Sequence, residues 1–586
     1  MTKTKHVAVG ILCVGALVLG ACTGERGPAG ADGTDGQDGT NGMDGTDGMD
    51  GTDGTDGSDG MDGTDGMDGT DGMDGEDGAP IAAGIFLNRV GRYESGLFGV
   101  GGAEIVAFDA ITDRLFVVNA ANATVDVLDL ADPTAPTLID TIEVGTAIPG
   151  RTLGSANSVS VARGTLAVAI EAEPSQQPGV VAFYSTSTLA LLGTVDVGAL
   201  PDMLTFTPDG NRVLVANEGE PSTDYTVDPE GSVSVIDVSA GFAAPTATAV
   251  RFTALDDDAA TLRAAGVRIY GTNATVSQDF EPEYIATDGS TAWVTLQENN
   301  ALAMIDLTAT PPAVTRVVAL GLKDHMLPGN ELDPSDRDNR VSLRAWPVYG
   351  MYQPDTIALY VANDTPYLIT ANEGDARAYD ALNEETRVGS VTLDPTAFPD
   401  ATTLRANAAL GRLRITSRDG DTDGDGDFDE LHAFGARSFS IWNGVSGALV
   451  YDSANEIEVV TARRLGRDFN NANDENAGDS RSDDKGPEPE AVAVGEIDGV
   501  TYAFVGLERT GGVMVYDVSH PESPRFVQYV NERDFRAEDA EDAGDLGPEC
   551  VVFVSAANSP TGVPLVIVGN EISGSTSIYA VRVAGR

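Results

Sequence analysis

The chain has 586 residues, with 92 aspartates and glutamates against 35 lysines and arginines, a formal charge of −57 and a pI near 4.1. Such an excess of negative charge repels nucleic-acid phosphates and excludes a DNA- or RNA-binding role. Apolar residues make up 41% of the chain, enough for a large core, and the length allows two to four domains or one large repeat architecture.

The chain begins with Lys3, Lys5 and His6, followed by an apolar run from Val7 to Leu19. That run is too short to span a bilayer and is flanked as a secretory signal is. Leu19-Gly20-Ala21-Cys22 reads as a bacterial lipobox, which sets a lipoprotein signal peptide at residues 1–21 and a lipid on Cys22. The plain alternative is an ordinary cleaved signal followed by a chance cysteine. The expected location is outside the cytoplasm, lipid-anchored to the outer membrane or cell surface of a bacterium, with the membrane as partner through Cys22. Cys13 leaves with the signal, so Cys550 is the sole internal thiol and no intrachain disulfide forms.

Residues 22–80 form a spacer. Glycine occupies every third position from Gly24 to Gly78, giving 19 triplets that mostly read Gly-Thr-Asp or Gly-Met-Asp. This is the collagen-type Gly-X-Y period, in which only glycine fits at the axis of three polyproline-II strands. The stretch has 17 acids against one arginine, so three copies repel unless cations screen them. It reads either as the stalk of a homotrimer or as a disordered tether. Extended at ~3.1 Å per residue it reaches on the order of 180 Å.

From residue 81 to 586 short Val, Ile, Leu, Phe and Ala runs alternate with Asp-Gly, Asn and Pro turns, an all-β pattern without long periodic helices. One element recurs seven times: a small residue or proline, an acid or amide, then a strand. The copies are Ala103-Glu104, Ala156-Asn157, Pro201-Asp202, Pro282-Glu283, Pro354-Asp355, Pro489-Glu490 and Pro548-Glu549. The second strand of each hairpin ends in another polar marker, at Asn119, Glu171, Glu218, Glu298, Glu373, Glu508 and Glu571. Seven copies of a three- to four-stranded unit predict a seven-bladed β-propeller, its last blade completed by the strand from Ile85 to Arg92. A β-helix or a pair of β-sandwiches is the alternative that irregular repeat spacing leaves open.

A propeller whose first strands line the axis brings Glu104, Asp202, Glu283, Asp355, Glu490 and Glu549 to one channel mouth, with Asn157 as the neutral member. The second-strand acids Glu171, Glu218, Glu298, Glu373, Glu508 and Glu571 join the same rim. Carboxylates so crowded raise one another's pKa values unless cations neutralise them. Calcium, which accepts six to eight oxygens in flexible geometry, is the expected cofactor. Some of these acids are expected only to cap strand ends or bond neighbouring backbone.

A second calcium signal lies in an insertion at about residues 376–434. Asp419, Asp421, Asp423, Asp425 and Asp427 lead to Glu430 in the pattern D-x-D-x-D-G-x5-E, with the twelfth-position acid in place. A register starting two residues later puts Phe428 at the apolar position but ends on His432. A solvated acidic turn is the other reading.

Basic residues are scarce, with only four lysines in the chain. Lys485, Arg481, Arg377 and Arg509 stand beside the acidic markers. Metal ions on Glu490 and Glu549, with these cations on the remaining oxygens of a phosphate, would make a calcium-dependent phosphoesterase. The alternative class is a non-catalytic surface protein for adhesion or mineral interaction. The expected ligand is accordingly a phosphoester or a mineral.

Several strings resemble the choice-of-anchor I family: Gly102-Ala103-Glu104-Ile105-Val106-Ala107, Leu200-Pro201-Asp202-Met203, Glu218-Gly219-Glu220-Pro221-Ser222, Gln297-Glu298-Asn299-Asn300, Ala371-Asn372-Glu373-Gly374-Asp375-Ala376-Arg377 and Asp483-Asp484-Lys485-Gly486-Pro487-Glu488-Pro489-Glu490. The resemblance covers about residues 84–582. That family is similar to mesenchyme-specific surface glycoproteins, and some bacterial members carry an alkaline phosphatase label. It implies a secreted, surface-held propeller and transfers no catalytic assignment. Cys550 departs from the pattern, standing where a glycine is expected.

Overall fold

The computed structural model describes residues 84–583 apart from residues 147 and 149. The signal at 1–21, Cys22 and the Gly-X-Y stalk at 22–80 lie outside the described residues.

Seven strands each open a four-stranded antiparallel sheet. They are β1 (Val106–Asp109), β2 (Leu153–Ala162), β3 (Pro201–Phe206), β4 (Pro282–Thr287), β5 (Ile357–Ala362), β6 (Pro489–Ile497) and β7 (Pro548–Val554). In six sheets the other three strands follow in chain order, pairing outward one after another. The seventh is β7, Leu565–Asn570, Ser575–Val583 and then Ile85–Glu94, which comes from the far end of the domain and pairs from Ile85↔Val583 to Glu94↔Ser575. The early strand therefore completes the last sheet, as its position in the repeat requires, and ties the two ends of the domain together.

The opening strands pack on one another in sequence, β1 on β2 through β6 on β7, and β7 returns to β1. All seven repeat units line one cavity of about 300 Å³. The residue directly after the acid or amide of every unit faces it: Ile105, Ser158, Met203, Tyr284, Thr356, Ala491 and Cys550. The architecture is all-β and propeller-like.

Apolar cores lie between neighbouring sheets. Phe116, Val125 and Val127 of the first sheet meet Val159, Leu166 and Ile170 of the second, and Val106, Leu115 and Leu128 on the other face of the first meet Val554, Leu565 and Ile567 of the seventh. Burial on both faces explains why the second strands read as continuous apolar runs instead of alternating. Leu115-Phe116-Val117-Val118 is buried throughout. A Phe116→Ala cavity there is expected to cost about 3–5 kcal/mol.

The fifth sheet is interrupted between its second strand, Thr365–Asn372, and its third, Ser438–Asn443. The intervening chain pairs Glu385–Arg387 with Arg414–Thr416 and packs Leu410, Leu413, Ile415 and Leu431 into a small core shared with Leu332 and Val348. The insertion thus begins and ends slightly outside the 376–434 read from the sequence. A ten-residue helix, Glu456–Leu465, is the longest among the described residues. Its buried Glu458 holds Arg437 at 2.8 Å.

Candidate cation site at the channel mouth

The proline-acid signature is where the register of the opening strand breaks. Pairing shifts between Pro201 and Leu204, Pro282 and Ile285, Pro489 and Val492, and Pro548 and Cys550. Proline cannot donate to the ladder, and a bulge bends the strand and re-aims the side chain that follows. Asp202, Glu283, Glu490 and Glu549 all sit in these bulges. The second-strand markers come just past strand ends: Glu218 follows Arg212–Asn217, Glu373 follows Thr365–Asn372 and Glu571 follows Leu565–Asn570.

The two sets meet by a common rule, in which the acid ending a second strand meets the opening acid of its own sheet and that of the next. Asp202, Glu218 and Glu283 place one oxygen each within 4.8 Å of one another, as do Asp355, Glu373 and Glu490. All six are buried. Glu490 is 0% exposed and neither of its carboxylate oxygens has a hydrogen-bond donor. Burial, reinforced by Glu549, Glu508, Glu373 and Asp355, pushes Glu490 well above the usual carboxylate range. Burial with Glu571 and Glu508 does the same to Glu549, and burial with Glu218 and Glu298 to Glu283. Burial, opposed by Arg377 and aided by Asp375, brings Glu298 up to about 8. Carrying charge is costly for these groups in so dry an environment, and either protonation or a neighbouring cation would relieve that cost.

A third trio, Glu373, Glu488 and Glu508, is neutralised by the chain itself. Glu488 receives Arg481 at 2.6 Å, Lys485 at 3.0 Å and Arg509 at 3.1 Å. Burial raises its pKa, but the three cations win and hold it well below the usual range. Lys485 also lies 2.6 Å from Glu373, and Arg509 3.1 Å from Glu508. Three of the cations expected to receive a phosphate are thus engaged with carboxylates. Arg377 is engaged as well, with Asp279 at 2.8 Å and Glu281 at 3.2 Å, its guanidinium 4.7 Å from the Tyr270 ring centre.

The remaining rim residues are buried outside the trios. Glu104 and Glu571 are buried, and the Glu571 amide donates to the Gly547 carbonyl. Asn157 donates to the Pro201 carbonyl at 3.0 Å and so links β2 to β3, a backbone-bonding role. Glu171 accepts from the Ser155 amide. Sequence reasoning missed Glu488, the first acid of Pro487-Glu488-Pro489-Glu490, where an extra acid ahead of the repeat signature was the available signal. It also missed Tyr284, whose phenol is pushed well above its ordinary value by burial and then by Cys550, Asp355, Glu549 and Glu490. Its place after Pro282-Glu283 was the signal there. Cys550 holds the same place in the seventh unit, where burial pushes the thiol up to about 12.

The acidic loop is divided among partners. Asp419 bonds Arg268 at 2.8 Å, and Glu430 bonds His432 at 2.9 Å, so the first and twelfth acids of the predicted register are drawn elsewhere. Asp421, Asp423 and Asp425 converge in an exposed group, which is the core of the later register, while Asp427 joins Asp394 and Asp429. Asp421 also accepts from the Gly424 and Gly426 amides.

A family model described as the choice-of-anchor I domain matches residues 104–521, more than half of the chain, and one described as the collagen triple helix repeat matches residues 22–83. Gigasin-3a of Magallana gigas is 29% identical over 191 residues, 30% of this chain and 67% of that protein. The mesenchyme-specific cell surface glycoprotein of Strongylocentrotus purpuratus is 27% identical over 237 residues, 35% of this chain but only 30% of that protein. Among solved structures, Kuenenia stuttgartiensis hydrazine synthase is similar at 13% identity and a TM-score of 0.42, covering 82% of this chain and 96% of that one. The Cps50 (Swd1) β-propeller domain of Myceliophteria thermophila aligns at 10% identity and a TM-score of 0.40, covering 85% of this chain and 100% of that one. At these scores the structural matches add nothing to the sheet pattern itself. Among the described residues no helix is long and apolar enough to cross a membrane.

Proposed function

Because the chain belongs to the choice-of-anchor I domain family and carries a collagen triple helix repeat ahead of that domain, we propose that it is a surface-displayed propeller that binds calcium in the mouth of its channel. In this reading the seven four-stranded sheets are the blades of a closed ring. A lipid on Cys22 anchors the chain, and the Gly-X-Y stalk, trimerised with two further copies, holds the propeller away from the membrane. The cell-surface description of the Strongylocentrotus purpuratus relative supports the location.

The observation that carries the proposal is Glu490, fully buried, with two donorless oxygens, inside a trio with Asp355 and Glu373. An all-oxygen donor set without imidazole or thiolate suits calcium better than a transition metal. The propeller acts as a binder, since Lys485, Arg481 and Arg377 are committed to carboxylates and are not available to a phosphate. One observation favours the phosphoesterase reading: Arg509 Nη2 is buried beside the Glu488 and Glu508 carboxylates and has no hydrogen-bond partner. It could take one oxygen of a metal-bound phosphoester.

Two assays on the full chain test these readings. Equilibrium dialysis against calcium at pH 8 is expected to show bound ions that chelator removes, and no bound ion would end the proposal. Hydrolysis of p-nitrophenyl phosphate with calcium is expected to stay at background. Calcium-dependent turnover lost in Arg509→Gln would establish the phosphoesterase instead.

A further inference from the structure

A second cavity, of about 610 Å³, shares no residue with the channel. It lies where the chain entering and leaving the fourth sheet meets the insertion of the fifth. Small-molecule sites span roughly 300–1,000 Å³ and favour such junctions. Its floor is apolar, made by Val267 and Ile269 from the segment between the third and fourth sheets and by Leu322 and Met351, which pair across two short strands. The strand Leu322–Asp324 is turned against its polarity. Lys323 is buried on Asp452 at 3.0 Å and on the Ala436 and Ala454 carbonyls, while Leu322 is 40% exposed. Neighbours on a strand point to opposite faces, so burying the lysine sends the leucine into the cavity.

The walls are fixed by the chain itself. The Val267 amide donates to the Leu262 carbonyl and the Arg268 amide to the Asn299 carbonyl, each at 3.0 Å, and Asn300 Nδ2 donates to the Gly321 carbonyl at 2.8 Å. A preformed site loses little ordering entropy when it binds.

The charges around this floor are unevenly matched. Asp419 is held by Arg268 at 2.8 Å, and Arg268 also by Glu384 at 2.5 Å, while His432 is paired with Glu430 at 2.9 Å. Arg263 and Arg418, both exposed, have no acid among the described residues. Arg263 spends only its Nε, on the Ile269 carbonyl at 2.9 Å, and Arg418 only its amide, on Thr416 Oγ1 at 3.1 Å. In a chain with 92 acidic against 35 basic residues, two arginines left without a carboxylate beside an apolar floor complement an anion with an apolar body.

We propose that this cavity binds a small organic acid, its carboxylate taken by Arg418 and Arg263 and its ring or chain laid on Val267, Ile269, Leu322 and Met351. An arginine fork offers a carboxylate two parallel hydrogen bonds, so the charged end anchors the ligand and the floor selects its body. No carboxylate of the channel mouth lines the cavity, so the site is independent of calcium there.

The test is a calorimetric titration of the full chain with naphthoate at low salt and in chelator, so that no metal bridges the acid. The wild type is expected to bind it saturably, and naphthylmethanol, which keeps the body and lacks the charge, at least tenfold more weakly. The double variant Arg263→Gln, Arg418→Gln is expected to lose at least tenfold in affinity for naphthoate and to bind the alcohol as the wild type does. Leu322→Asp, which puts a charge on the floor, is expected to abolish binding of both. Melting temperatures check that the variants fold, and the arginine pair decides alone should Leu322→Asp unfold. No saturable binding of naphthoate, equal affinity for the alcohol, or a double arginine variant that binds naphthoate as the wild type does would each overturn the proposal.

Discussion

The channel mouth and the acidic loop are both crowded with carboxylates, yet they solve the crowding in opposite ways. In the loop Asp421, Asp423 and Asp425 are exposed, and water and the Gly424 and Gly426 amides stabilise their charge. At the mouth the buried Glu283 and Glu490 and the half-buried Glu549 are pushed well above the carboxylate range, while Glu488 is held below it by Arg481, Lys485 and Arg509. Acidic composition is therefore a poor guide to cation demand. Burial without a built-in counter-ion is the better one.

The largest effect is expected where the built-in counter-ions are lost. Glu488→Ala leaves the buried Lys485 and Arg509 and the partly buried Arg481 without their shared anion, and removing one partner of a buried pair costs roughly 3–5 kcal/mol. Urea unfolding of the full chain should show a loss of that size, and an unchanged midpoint would mean the hub does not hold the mouth. Because its folded pKa is depressed, the Glu488 contribution is present at neutral pH and fades only as pH falls below the ordinary carboxylate value.

Calcium comes next. At about one hundred times its dissociation constant an ion adds about 2.7 kcal/mol to stability. Without it the pH trend runs the other way. The raised acids bind protons in the folded state that the unfolded chain has already lost, so stability falls as pH rises. For Glu298 the window runs from 4.5 to about 8. Melting in chelator should be higher at pH 5 than at pH 8, and calcium should reduce or reverse that difference. A melting temperature that rises with pH in chelator would contradict the picture of unneutralised buried acids.

Smaller changes sharpen the contrast. Asn157→Ala removes the bond to the Pro201 carbonyl and should cost about 1–2 kcal/mol with calcium binding intact. Asp423→Asn in the exposed loop should shift calcium-free stability by no more than about 0.5 kcal/mol. A larger loss there would place the loop, with the mouth, among the structural charge clusters.

The repeat was legible because every unit opens on a small residue or proline followed by an acid or amide, and in four of them, as at Pro201-Asp202 and Pro489-Glu490, the proline marks a break in the ladder. The closing strand was legible because the seventh unit lacked one. Partner choice was less so. The spacing from Asp419 to Glu430 fits a calcium loop, but Arg268 lies far away in the chain and reaches Asp419 only through the fold. Arg481 and Lys485 are close to Glu488 in sequence, while the charge of Lys485 is shared with Glu373, more than a hundred residues earlier. Local spacing shows which side chains reach the mouth, and long-range packing decides which of them arrive already neutralised.

The most direct test is the melting temperature of the wild type and Glu490→Gln at pH 8, each in chelator and in calcium. Removal of a crowded buried charge should make the variant more stable than the wild type in chelator and less responsive to calcium. A variant that is less stable in chelator, yet gains as much from calcium as the wild type, would contradict a cation site built around Glu490.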